Sequence, residues 1–141
     1  MTMSNLLVQK AIFEVEDLHR FFEDWFKGRL PQTADAFKRF DAAVAPEFQL
    51  ITPDGEKIGG LTLRDWIWSI HGTRQDTSMW VDEAEGAAAR PGLVLVTYRE
   101  WHDGPDGKSV RLSSALLEED ECAPNGVRWV HVHETWQKPS A

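Results

Sequence analysis

The sequence predicts a single α+β domain, with three N-terminal helices folded over a curved antiparallel sheet. Apolar residues recur every three or four positions through the first half, which is helical spacing. After Gln75 come long β-prone runs parted by turn residues. No low-complexity tract or linker divides the chain, and helices followed by a strand meander argue for α+β rather than alternating α/β.

The first helix covers residues 8–29, where Val8, Ile12, Val15, Leu18, Phe22 and Trp25 form one stripe and Gly28 and Pro31 end it. Thr33 caps a second helix with Ala36, Phe37, Phe40 and Val44 as its buried stripe and Pro46 as its stop. A hairpin follows: residues 48–52 run out, Pro53-Asp54-Gly55-Glu56 turns, and residues 57–59 return. Thr62-Leu63-Arg64-Asp65 has a capping-box pattern opening a third helix with Leu63, Trp66, Ile67 and Ile70, which ends at His71-Gly72. Four strands complete the chain, at residues 78–88, 93–102, 109–117 and 127–137, with exposed loops at 103–108 and 120–126.

At 141 residues the chain has the length of one domain, and its 42% hydrophobic content suits an ordinary core. Seven tryptophans and seven phenylalanines are more than one small core encloses, so some line a cavity or an oligomer interface. The net charge of −8 excludes nucleic acid and anionic membrane surfaces as partners, because both bind through Lys and Arg. The longest strongly apolar run, residues 93–97, is far too short to span a bilayer. Residues 1–10 lack the pattern of a secretory leader. A lone Cys122 excludes an internal disulfide and a cysteine zinc cluster. The expected protein is soluble and cytoplasmic. No nucleotide-binding glycine motif and no Ser-His-Asp or Cys-His arrangement is present.

The order of elements carries specific motifs: Phe48 with Pro53-Asp54-Gly55, the Trp66 helix ending at His71-Gly72, Thr97-Tyr98-Arg99-Glu100, Arg111-Leu112-Ser113-Ser114, and the final run from Trp129 through His131, His133 and Glu134 to Trp136. In this the chain resembles the NTF2-like superfamily, in its SnoaL-like or DUF4440-like branch, over nearly its whole length. The last strand is also similar to that of the kinase-hub association domains in the same superfamily. The resemblance implies an NTF2-like cone with a cavity between the helices and the concave sheet face, and a homodimer through the other face. The superfamily contains isomerases, dehydratases, cyclases and non-catalytic carriers, so it implies no single chemistry. Tyr98 is the only tyrosine, which excludes an oxyanion hole built on several.

Strand alternation sharpens the site. A regular hairpin around residues 103–108 sets Glu100 opposite Arg111, Tyr98 opposite Ser113 and Val96 opposite Ala115, all on one face. If the next loop pairs Glu118 with Val127, then Arg111 also faces Glu134 and Ser113 faces Val132. Leu95, Leu116, Trp129, His131 and His133 then lie on the other face. A one-residue slip in the last strand would instead bring His131 and His133 to Arg111 and remove Glu134, so both sets remain candidates.

In its plain structural account, Glu100–Arg111–Glu134 is an ion-pair ladder that fixes register. Functionally, Arg111 would hold a carboxylate or enolate oxygen with its planar fork, beside Tyr98, Ser113 and His131. Glu100, His133 or Glu134 would move a proton. Trp66 and Trp25 suit the pocket wall, whereas Trp68 and Trp136 read as packing. His131 and His133, about 7 Å apart along a strand, could hold zinc only with a third ligand such as His71, so no metal or cofactor is expected. His102 reads as solvated, and Asp82, Glu83 and Glu85 as a charged edge strand.

Two functions fit. One is a domain binding a small molecule with an apolar body and a carbonyl or carboxylate. The other is an isomerase, dehydratase or cyclase with a Glu or His base and Arg111 as oxyanion binder. The acids distinguish them: a buried, unpaired base has a raised pKa, whereas acids clamped on arginine are poor bases. An arginine placed to neutralise both acids favours binding.

Overall fold

The apolar stripe of the first helix decides the architecture. In the computed structural model, which describes residues 3–138, α1 (Met3–Phe26) buries Leu7, Ala11, Val15, Leu18 and Trp25. Met1 and Thr2, part of the stretch read for a leader, lie outside the described residues. Gly28, at φ 76°, turns the chain away from the helix end, and a Cβ there would stand 3.2 Å from the Gly72 Cα. Glycine is required on both counts. No helix of the described residues is long and apolar enough to cross a membrane.

Thr33 caps α2 (Ala34–Asp41) as expected, its Oγ1 accepting the Ala36 N–H at 3.2 Å. That helix is shorter than its stripe suggests. Val44 and Pro46 belong to β1 (Val44–Ile51), and the register with its neighbour skips between Val44 and Gln49, where a residue without an N–H costs no ladder bond. After β2 (Lys57–Gly59) the chain enters α3 (Gly60–Ser69) directly. Gly59 is its N-cap and Thr62 lies inside the first turn, so the expected capping box does not form. Two helices are therefore N-terminal, and the third follows the hairpin.

The remaining strands are β3 (Ser78–Arg90), β4 (Leu93–Gly104), β5 (Gly107–Glu119) and β6 (Val127–Trp136). The order across the single six-stranded sheet is β2-β1-β6-β5-β4-β3. One pairing departs from the expected antiparallel sheet: β1 runs parallel to β6. Parallel neighbours need a long connection, and α3 with four strands supplies it. β3 is the charged edge, where Asp82 holds Arg99 at 2.7 Å. Two bulges bend it, with Glu83 at φ 53°. At Gly86 any Cβ would meet Val8 Cγ1 at 2.8 Å, so glycine lets α1 lie close on the curved strand.

The β4–β5 register is the expected one, with Glu100 opposite Arg111 and Tyr98 opposite Ser113. The β5–β6 register differs from the expectation by two residues: Glu134 faces Ser113, and Arg111 faces Trp136. An even shift keeps each side chain on its face. A bulge opposite Leu116 and Leu117 then reverses the strand's N-terminal part. Trp129 therefore points inward with Val127, not outward with the histidines, and is 3% exposed.

Inward Trp129 meets Glu14, a fully buried carboxylate on α1. Glu14 accepts from Trp129 Nε1 at 2.9 Å, Asn125 Nδ2 at 2.7 Å and both Arg39 Nη atoms at 2.7 and 3.2 Å. This network ties both N-terminal helices to the loop before β6. Removing one partner of a buried pair strands the others. Glu14→Ala is expected to cost about 3–5 kcal/mol, read from the urea midpoint, while Glu14→Gln, which keeps an acceptor, costs less.

Candidate functional site

A cavity of about 250 Å³ lies between the helices and the concave sheet face. Phe22, Phe26, Phe40, Phe48, Leu63 and Trp66 form its apolar wall. Its polar side is built by alternation along three strands: Tyr98, Glu100 and His102 from β4, Arg111 from β5, and Glu134 from β6. α1 adds His19.

Glu100 organises this side. It is 5% exposed and accepts from His19 Nε2 at 2.8 Å, while its other oxygen meets His102 Nε2 at 2.6 Å. His19 Nδ1 meets the Val15 carbonyl at 2.7 Å. A carbonyl and a carboxylate both accept, so both ring nitrogens donate and His19 is an imidazolium. Burial alone would lower its pKa, but the Glu100 charge prevails and raises it. Against the cost of burial, His19 and His102 hold Glu100 well below the usual carboxylate range.

Glu134 is different. Burial and the neighbouring Glu100 charge raise it to about 7, against the pull of Arg111. Its one hydrogen bond to Arg111, from Nη1, is long at 3.3 Å. Arg111 Nε stands 3.8 Å from Glu100 and is buried without a hydrogen bond. The guanidinium lies 4.8 Å over the Trp136 ring, which fixes its plane. Burial and the two carboxylates push the Tyr98 phenol well up, so it stays a neutral donor.

The structure thus gathers Glu100, Arg111, Glu134, Tyr98 and Trp66 around one cavity, with Ser113 buried opposite Glu134 in the register. Three expected residues stand elsewhere. His131 and His133 project from the opposite sheet face, because Leu116 and Ser114, their partners, face outward. Trp25 is fully buried in the helix core, donating to the Ile67 carbonyl at 2.8 Å and packing on Phe37 at 4.9 Å, so it is no part of the wall. His71, the possible third zinc ligand, bonds the Leu30 carbonyl at 2.6 Å instead. Among the described residues no group of three could hold a metal. His102 is not solvated but bound to Glu100. Reading by pattern missed His19, although a histidine inside the stripe of Val15, Leu18 and Phe22 was its signal.

Residues 13–138 match the model of the sucrose-6-phosphate phosphohydrolase C-terminal family. The chain belongs to that family. It is 24% identical to sucrose-phosphatase 2 of Nicotiana tabacum over 132 residues, and 26% identical to sucrose-phosphatase 1 of the same plant over 136. Each match covers 92% of this chain but 31% of the relative, so the chain spans about a third of the curated relatives' length. Among solved structures, this member of the family is similar to an NTF-2-like protein of unknown function from Pseudomonas aeruginosa. The TM-score is 0.81 at 27% identity, covering 92% of this chain and 99% of that one. A CaMKII hub from S. rosetta shares the fold at 14% identity, with a TM-score of 0.72 over 92% and 96% of the two chains. The NTF2-like superfamily expected from the strand motifs is thereby met.

Two predictions follow from the charges. Glu134 keeps a proton in the native state up to about 7, whereas the unfolded chain releases it near the ordinary 4.5. Stability therefore falls as pH rises through that window, by up to about 3 kcal/mol. His19, raised above its ordinary 6.5, loses its contribution in the same direction as pH rises through its folded value. Glu100 acts outside the window, because its contribution is lost only as pH falls through its depressed value. Glu134→Gln is expected to flatten the slope between pH 5 and 8 in urea unfolding. Arg111→Ala is expected to cost about 1–3 kcal/mol. Glu100 keeps two imidazoles, so that loss is smaller than for an arginine holding two acids alone.

Proposed function

We propose that the domain binds a small molecule in this cavity. Its apolar body would lie against Trp66 and the phenylalanines, its carbonyl or hydroxyl would meet Arg111, Tyr98 and Ser113, and a carboxylate, where it has one, would lie away from Glu100. The observation that carries this reading is an aromatic wall closing on a half-buried arginine with hydrogen-bonding capacity to spare, since Arg111 makes one long bond to a carboxyl that is half neutral near pH 7 and its buried Nε makes none. Few well-placed polar groups in an apolar pocket are how small-molecule sites are built. The relatives' names bring sugars and sugar phosphates into the set of ligands to try. Because the chain spans only a third of those proteins, their activity is not carried over to it, and a binding role is the form we favour. A cytoplasmic location belongs to the same reading. So does a homodimer through the outer sheet face, where Leu112 and Trp80 are exposed; hub and association domains share the fold.

One observation favours a second reading, a proton-transfer enzyme of the isomerase, dehydratase or cyclase kind. A carboxyl near 7 in a pocket is tuned as a general base at neutral pH. Tyr98 and Arg111 would then stabilise the oxyanion.

A thermal-shift screen with carboxylates, ketones, sugars and sugar phosphates tests the first reading. Ligand at a hundred times its dissociation constant adds about 2.7 kcal/mol, a shift of several degrees. Trp66→Ala is expected to weaken any hit at least tenfold by the order of an aromatic contact, about 1.4 kcal/mol. Turnover of a hit that disappears in Glu134→Gln while binding persists would instead establish the enzyme.

A further inference from the structure

Arg74 lies in the segment between α3 and β3, where its backbone N–H donates to the Phe26 carbonyl at 2.9 Å. Its guanidinium carbon stands 5.6 Å from the Phe26 ring centre and 5.4 Å from that of Trp66. Both rings belong to the cavity wall. The side chain therefore sits at the edge of the cavity, and it also lines an adjoining polar groove of about 640 Å³ bounded by the turn between β4 and β5. Arg111 and His102 are likewise shared by cavity and groove, so the two spaces meet at these three residues.

In a chain with eight excess negative charges, arginines find carboxylates readily. Among the described residues every arginine but two does so. One exception is Arg90, exposed at a hairpin end. The other is Arg74. Asp76 and Asp106 also line the groove, yet neither pairs with it. What holds Arg74 is aromatic contact and a backbone bond, which leaves its five N–H donors uncommitted and its position fixed. A half-buried guanidinium in that state is ready to donate to a planar or tetrahedral oxyanion.

The part of the cavity beside Glu100 and Glu134 is the wrong place for an anion. Glu100 is charged there, and Arg111 stands between it and Glu134. An anion placed there would face a carboxylate, whereas one at Arg74 would face a cation that no carboxylate pairs. The same arrangement suits a ligand with an anionic head outside, an apolar body on Trp66, and a hydroxyl or amine donor toward Glu134.

We propose that Arg74 is the anion-recognition residue of the cavity, binding the carboxylate or phosphate head of the molecule whose body the cavity holds. The inference rests on the small-molecule reading above. Its chemistry is charge-assisted hydrogen bonding from a preset guanidinium, so lysine replaces it only in part.

The test uses hexanoate, hexyl phosphate and neutral hexanamide at constant ionic strength, titrated into the wild type, Arg74→Gln and Arg74→Lys. Binding is followed by NMR at the Trp66 indole and the Arg74 Nε–H. The anionic probes are expected to bind at least tenfold more tightly than hexanamide to the wild type. That preference should vanish in Arg74→Gln and persist partly in Arg74→Lys, with hexanamide unaffected by either change. Whichever anionic probe binds more tightly identifies the head group as carboxylate or phosphate. If anionic and neutral probes move Trp66 alike, or Arg74→Gln keeps the preference, the anion assignment is wrong and the cavity reading stands. If no probe moves Trp66, both fall.

Discussion

A carboxylate removed from water must be matched, and the way Glu100 is matched sets up everything around the cavity. One of its oxygens takes a charged imidazole from α1 and the other takes His102 from its own strand. That choice joins helix to sheet across the apolar core. It also leaves Arg111 short of a full partner and places a fixed negative charge beside Glu134. Glu134 responds by holding its proton to about 7. Two carboxylates of like chemistry thus diverge because one receives the imidazolium and the other does not.

The parts of the site joined by a short loop were legible in the chain. Glu100 and Arg111, Tyr98 and Ser113 fall opposite each other because a tight turn leaves β4 and β5 little freedom of register. Across the longer loop before β6 the pairing moved by two residues, and parity rescued the face of Glu134 but not its neighbour. Trp129 was misread because the bulge beside it adds a residue to one strand only, and no local pattern announces such an insertion. The parallel pairing of β1 with β6 was equally hidden, since it depends on where a distant strand arrives.

Side chains in the helical stripe divide in the same way. Apolar spacing located the buried face of α1 but not which of its aromatics would reach the cavity: Trp25 turns into the helix core and Phe22 lines the wall. Glu14 and His19 sit in that stripe as polar interruptions. Their partners, Asn125 and Glu100, are separated from them by most of the chain, so the stripe showed that something must satisfy them without showing what.

The parallel seam between β1 and β6 also governs how the molecule is made. Residues near the start of the sheet must wait for the last strand, because β1 has only the short β2 on its other side. The meander from β3 to β6 consists of neighbours in sequence and closes small loops, whereas the seam closes one that takes in most of the domain. During synthesis the β1–β2 hairpin therefore emerges with an open edge that nothing yet made can cover. The cavity, walled on one side by Phe48 of β1, exists only after the final strand has docked.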